Sequence, residues 1–226
     1  MWLVDLHCHT AMRSADSAAS LATVLSDAAA RGVQSLCLTE HDAFWGAGEL
    51  APALDTGTVA IPGAEINTDS GHVLVFGLAE YRFGFHHVRN LAEAVGRAGG
   101  ATVLAHPYRR VLPPGVTPNT AGYDSALARA LDNPLLRLVD AIEVMNGRGT
   151  VAENRLAHDI SRSTGLPGVA GSDAHQAGEA GRVATAFDTP TRSVADLIAG
   201  LKSGGFHVAH GPAASAPARQ TSSEQL

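Results

Sequence analysis

Along almost the whole chain, short apolar runs of strand character alternate with longer runs whose apolar residues recur at helical spacing. That rhythm restricts the fold to the α/β class, with parallel strands joined by crossover helices. Strands are expected at residues 3–6, 34–39, 59–61, 72–76, 102–105, 141–145, 168–170 and 183–187. Helices are expected at residues 21–31, near 45–54, at 86–98, within 125–138, at 151–164 and at 193–203, the first stopped by Gly32. A polar turn at residues 67–71 joins the third and fourth strands, and a Pro/Gly-rich loop fills residues 107–122. Seven or so strand–helix units favour a closed or nearly closed barrel over an open sheet. The barrel domain is assigned to residues 1–210. The Ala/Ser/Pro/Gln-rich stretch 211–226 lacks a periodic apolar face and is expected to be a disordered tail.

The 226 residues are 45% apolar and 17% charged, which suits one domain with a full-sized core. A formal charge of −6 and the lack of any Lys/Arg cluster argue against a surface that grips nucleic acid non-specifically. No basic segment precedes the first apolar stretch, and no apolar run approaches the roughly 20 residues that span a bilayer. A cytoplasmic protein without membrane partners is therefore expected. Cys8 and Cys37 are too few for a disulfide framework and read as small buried fillers.

The polar residues that punctuate the strands carry the chemistry. His7 and His9 follow the first strand, and their spacing puts both imidazoles on one face. His41 follows the second strand in LTEHD, Glu65 the third in PGAE, His106 the fifth in VLAHP, and Asp173 with His175 a late strand in GVAGSDAH. In a parallel barrel the carboxyl ends of the strands converge on one face, so residues distant in sequence share one cup. Asp16, in the loop after His9, and His72 bring the donors to nine. Imidazoles and carboxylates without a thiolate suit zinc, manganese or iron. Nine donors exceed the needs of a single ion and suit two or three divalent ions of the kind that activate water for hydrolysis.

The motifs DLHCHT with Asp16 shortly after, LTEHD, PGAE, GHVLVFGL, AHP, EVMNG and GSDAH run in this order from residue 5 to residue 175. In these motifs the chain resembles the polymerase and histidinol phosphatase (PHP) superfamily. The resemblance implies a distorted (β/α)7 barrel and a metal-dependent phosphoesterase with a trinuclear centre at the strand ends. It implies that His7, His9, Glu65 and Asp173 hold one ion, and that Glu65, His72 and His106 hold a second. Asp16, His41 and His175 would hold the third. Two stretches depart from the family pattern. Thr39-Glu40-His41 stands where the family has Thr-Asp-His, and the run RSADS, which contains Asp16, stands where Ser-Asp-Gly is commoner. Glu40 is expected to point away from the face of His41 and to brace rather than ligate.

Several residues carry two readings. Glu143, in AIEVMNG, either orients a ligand imidazole or pairs with a surface cation, and Asn146 is expected to donate a hydrogen bond near substrate. Arg109, Arg148 and Arg182 follow motif residues and are candidates for gripping a phosphate. His86, His87, His158, His207 and His210 read as ordinary polar histidines, with a place at the edge of the site as the alternative for His210, which follows a strand-like run. The expected reaction is hydrolysis of a phosphate ester by a metal-activated water, with Glu65, Asp173 and His175 acting through that water and no side-chain nucleophile. Divalent ions would outweigh the three ligand carboxylates and make the cup select an anionic substrate, a small phosphorylated metabolite or nucleotide. With aromatic residues at 5%, a short oligonucleotide is the alternative substrate. A catalytically silent metal-binding module and an amidohydrolase-type barrel are the rival classes.

Overall fold

The computed structural model describes residues 1–46, 48–50, 57–109 and 111–209. Nine strands form one sheet: β1 (Trp2–Asp5), β2 (Ser35–His41), β3 (Val59–Thr68), β4 (Gly71–Phe76), β5 (Ala101–Leu104), β6 (Ala141–Asn146), β7 (Gly168–Gly171), β8 (Ala184–Phe187) and β9 (Phe206–Ala209). Among the described residues five α-helices accompany them: α1 (Leu21–Ala30), α2 (Val88–Arg97), α3 (Ala121–Leu131), α4 (Val151–Thr164) and α5 (Val194–Ser203). The strand order is β7-β6-β5-β4-β3-β2-β1-β8-β9.

The sheet curls until its ends meet, which makes the nearly closed, distorted barrel expected from the sequence. Beyond β1 and β7 the chain continues as a parallel bridge between Cys8 and Ala174. Asp173 N–H donates to the His7 carbonyl at 2.8 Å, and His9 N–H to the Ala174 carbonyl at 2.9 Å. Lower down, β8 intervenes, and the hydroxyl of buried Thr185 accepts from Ala170 N–H at 2.8 Å and donates to the Ala170 carbonyl at 3.1 Å. One side chain thus satisfies both polar groups of a backbone unit that no strand reaches. Buried backbone groups without partners are expensive, so the seam holds its shape.

The core has three parts. Leu6, Cys37, Ile61, Leu74, Phe76, Val103 and Val169 fill the barrel, and Leu197 and Leu201 of α5 close its floor. Gly200 lets that helix approach closely, since a Cβ there would lie 2.7 Å from the Phe187 ring. Outside the wall, α2, α3 and α4 cover β4 to β6, and α1 covers β1 and β2. Cys8 and Cys37 are buried, free thiols. Among the described residues, no helix is long and apolar enough to cross a membrane.

The strands are not all parallel, contrary to the sequence expectation. β4 runs antiparallel to β3 and β5, and β8 antiparallel to β1 and β9. Only Asp69 and Ser70 separate β3 from β4, far too few for a crossover, so a hairpin is obligatory. β3 also runs on to Thr68 through Pro62 and Gly63, where the sequence reading stopped at residue 61. Pro62 is tolerated because β4 pairs with β3 only from Ala64 onward. A helix within 125–138 is corrected to α3, which begins under the Thr120 cap and ends before a separate 3-10 turn at Pro134–Arg137. Proline after Asn133 disfavours helical backbone there. The patch near 45–54 is no helix at Trp45, Gly46 or residues 48–50, which are irregular or turned, and its other residues lie outside the described ones, as do His210 and the expected tail 211–226. The helix at 151–164 appears as α4, with a Thr150/Glu153 capping box and Gly165 in the left-handed conformation as its C-cap.

Thr185→Val keeps the shape of the side chain but orphans the Ala170 backbone groups. We expect it to lower the unfolding free energy by about 2–4 kcal/mol in urea titration, with Thr185→Ser restoring most of the loss. A valine variant within about 0.5 kcal/mol of the parent would mean that the seam does not rely on this hydroxyl.

Candidate metal centre

Every donor named from the sequence lies at one rim, although two arrive by routes that parallel topology does not supply. His7 and His9 leave β1 on the same face, and their ring centroids stand 5.0 Å apart. His41 ends β2 directly beside Glu65 of β3 in the parallel register. His106, Asp173 and His175 follow β5 and β7. His72 begins β4, and because that strand runs downward its first residues sit at the rim where the others end. Asp16 reaches in from the loop after β1. Two donors hold unusual backbone: φ is +24° at His106 and +53° at Asp173, conformations that L residues rarely adopt. Such strain persists only where the surroundings dictate it, and it gathers at functional sites.

Glu65 is the hub. Its Oε2 lies 3.4 Å from Nε2 of both His7 and His9, and Asp173 Oδ1 lies 3.5 and 3.4 Å from the same two nitrogens. These four atoms are fully buried and have no hydrogen-bond partner. Orphaned buried polar atoms are rare singly, and here four face one another. The other Glu65 oxygen, Oε1, is 2.8 Å from His72 Nδ1 and 2.8 Å from His106 Nε2. On the open side, Asp16 Oδ2 stands 3.2 Å from Nε2 of His41 and of His175, while His41 Nδ1 lies 3.0 Å from Glu65 Oε2 without the alignment of a hydrogen bond. Ligand atoms of His7, His9 and Glu65, of Glu65, His72 and His106, and of His9, His41 and His175 each lie within 4.8 Å of one another. Nitrogen and carboxylate donors at this spacing fit divalent ions.

Electrostatics follow from burial and crowding. Burial would raise the Glu65 carboxyl, but His7, His106 and His41 outweigh it and hold the group well below its ordinary range. Asp173 is likewise held far down against burial, by His7, His9, His106 and Arg109. Burial pushes His9 down to about 4, which leaves its imidazole neutral. Burial works the same way on His7, yet Asp173, Glu143 and Glu65 overcome it and raise that ring well above the usual value.

A second layer positions these groups. Glu143, fully buried on β6, takes His7 Nδ1 at 3.0 Å on Oε1, and its Oε2 accepts from His106 N–H at 2.8 Å. Of its two sequence readings, orientation of an imidazole is the one that matches this placement. Asn146 departs from expectation: its buried amide donates to Glu143 at 3.0 Å and Asp173 at 3.3 Å, so it braces the acids instead of facing substrate. Glu40 forms no salt link and accepts hydrogen bonds from Thr10 and Ser14. Asp5, which the sequence reading passed over, accepts from the backbone N–H groups of His7, Ser172 and Gly181 and ties three chain segments beneath the cup. Burial raises its carboxyl to about 6. An acid inside an apolar strand was the available signal.

The three arginines part company. Arg109 reaches into the cup and donates to Asp173 Oδ2. Arg148 is exposed, and its backbone N–H donates to Asn146 Oδ1. Arg182 lies outside the cup, in a hollow with Met1, Leu3 and Arg31, because the turn after β7 folds outward over α1. Gly178 N–H bonds Asp27, and Arg31 bonds the Gly178 carbonyl, which holds that turn in the helical layer. Of the histidines read as ordinary, His87 pairs with Asp69 at the surface and His158 and His207 are exposed.

Comparison with known proteins agrees with this geometry. Residues 5–112 match the model of the PHP domain, and residues 151–205 match a PHP-associated model. No curated protein sequence matches the chain. Among solved structures, PsfC from Pseudomonas syringae is 21% identical with a TM-score of 0.65, covering 92% of this chain and 91% of that one. A two-domain protein from Bacteroides vulgatus containing a predicted PHP-like metal-dependent phosphoesterase is 20% identical with a TM-score of 0.63, covering 93% of this chain and 65% of that one. An amidohydrolase from Chromobacterium violaceum with bound sulfate is 19% identical with a TM-score of 0.56, covering 88% of this chain and 96% of that one. These likenesses concern the fold. With both family models matched in order and the donors gathered at the rim, the chain carries a PHP domain followed by a PHP-associated region, and its rim has the donor set of a metal-dependent hydrolase.

Proposed function

We propose that this chain hydrolyses a phosphate ester of a small metabolite or nucleotide with the help of two or three divalent ions. The observation that carries the reading is the set of four buried, unpartnered atoms contributed by His7, His9, Glu65 and Asp173. These four would hold one ion, Glu65, His72 and His106 a second, and Asp16, His41 and His175 a third. Divalent ions of this kind act as Lewis acids toward phosphoryl oxygen and bring the acidity of water toward neutral pH.

This chain's own residues supply position and selectivity. Glu65 spans two donor sets through its two oxygens, so the sets are held at a fixed separation. Asp173 is clamped on Oδ2 by Arg109 and Asn146, which leaves Oδ1 aimed into the cluster. The Arg109 side chain is 39% exposed, so its guanidinium can meet an anion entering the cup while holding Asp173. A pocket of about 330 Å³, lined by His72, His106, Pro107 and Arg109, opens beside the cluster. That volume suits the alcohol portion of a small ester. Arg148 would meet only the outer part of a substrate, if any.

His9→Ala and Asp173→Ala should each cut hydrolysis of the best substrate in a phosphomonoester panel at least a hundredfold while circular dichroism stays unchanged. Full activity in a preparation shown by elemental analysis to be metal-free rules the reading out, and faster cleavage of short single-stranded oligonucleotides than of any monoester reassigns the substrate. Saturating zinc or manganese should also stabilise the fold, by about 2.7 kcal/mol at a hundred times the dissociation constant. Asp173→Ala should lose most of that gain, and a melting temperature indifferent to every divalent ion would contradict the centre.

A further inference from the structure

Ser14 lies in the loop between β1 and α1, almost wholly buried, and touches three groups with one hydroxyl. Its Oγ is 2.5 Å from Glu40 Oε2, 3.2 Å from the backbone nitrogen of His41 and 3.3 Å from His9 Nδ1. Glu40 is fully buried in β2, and its two oxygens also receive Thr10 N–H at 3.0 Å and the Thr10 hydroxyl at 2.6 Å. A hydroxyl has one proton to give. The carboxylate can only accept, so the Ser14 proton goes to Glu40. The His41 N–H can only donate, so it takes one Ser14 lone pair. What remains toward His9 is a lone pair, and a hydrogen bond along that contact requires the proton to sit on His9 Nδ1.

We propose that Ser14, oriented by Glu40, is a positioning residue that fixes His9 in the Nδ1–H tautomer and so turns the lone pair of Nε2 toward Glu65 and Asp173. His7 is oriented by a direct partner instead, since its Nδ1 faces Glu143. The two imidazoles that share one donor set are thus each held at Nδ1, one by a carboxylate and one by a carboxylate acting through a hydroxyl. Were the Ser14 proton turned toward His9, the ring would carry its hydrogen on Nε2, where it would point at the other ligand atoms and block coordination. Glu40 prevents that by occupying the proton.

The first arm of the test needs no metal and stands apart from the phosphoesterase reading. In metal-free protein labelled with 15N at histidine, the ring nitrogen shifts of His9 should show a protonated Nδ1 and a bare Nε2. A ring protonated on Nε2 overturns the assignment. The second arm rests on the metal-centre reading: Ser14→Ala, which leaves every ligand in place, should weaken the first zinc affinity about 10–100-fold and populate a second tautomer of His9. Unchanged zinc affinity together with a single unchanged tautomer refutes the role of Ser14. A failure of zinc binding in the parent protein, with the expected tautomer present, strikes at the metal reading alone.

Discussion

Two carboxylates, those of Glu65 and Asp173, are withdrawn from water at the rim of this barrel, and the remaining structure is organised around that fact. A lone carboxylate in such surroundings is among the least favourable groups a protein can bury. Around Glu65 five imidazoles gather, those of His7, His9, His41, His72 and His106, which can be neutral donors to a cation or charged partners in its place. Arg109 and Asn146 neutralise and hold the far oxygen of Asp173. What is left uncompensated is a compact knot of two oxygens and two nitrogens, and divalent charge is the chemistry that resolves it.

Such a knot is useful only if it cannot relax, and the barrel prevents relaxation by tying its strand ends laterally. Asp5 joins the backbones of His7, Ser172 and Gly181 beneath the donors. The Thr39 hydroxyl bonds both polar groups of Cys8, at 3.1 and 3.3 Å, where β1 has already ended. Thr185 repeats the device on Ala170 at the opposite side of the seam. At Ala170 the side chain stands in for a missing strand, whereas at Cys8 it supplements β2, whose Thr39 backbone N–H donates to the Cys8 carbonyl at 2.8 Å. The floor is packed by α5, so movement of the donors toward the barrel interior would compress apolar side chains that already interdigitate.

Much of this was legible in the sequence, because strand ends and i, i+2 pairs depend on local pattern alone. His7/His9 and Asp173/His175 needed only the alternation of a strand to share a face. His72 was the instructive case. Read as the start of a parallel strand it belongs at the wrong end of the barrel, yet the two-residue link between β3 and β4 already forbids the parallel arrangement. Asn146 and Arg182 were harder. The direction in which an amide points depends on acids 3 and 27 positions away, and the outward fold of the turn after β7 depends on Asp27 and Arg31 of α1. Neither relation has a local signature. Asp5 was hidden for the opposite reason: its pattern is local, but its three partners are backbone groups, which a sequence does not display.

The two departures from the family pattern meet in space. Glu40 stands where the family has aspartate, Ser14 lies in the segment that replaces the commoner Ser-Asp-Gly, and the structure bonds one to the other. Side-chain reach explains why they belong together. An aspartate at position 40 would end about 1.5 Å short, one carbon–carbon bond, and at that range its carboxylate would no longer take the Ser14 proton. With Glu40 in place, the loop carrying Asp16 is pinned at Thr10 and Ser14 before it swings out to solvent, where the Asp16 side chain is 59% exposed yet still meets His41 and His175. The extra methylene therefore anchors the root of the exposed loop that carries Asp16 and, in the reading proposed above, sets the proton of the buried His9 ring. A change at either position alone would leave an oxygen of the pair without its partner inside the protein, which is a larger penalty than losing the hydrogen bond itself.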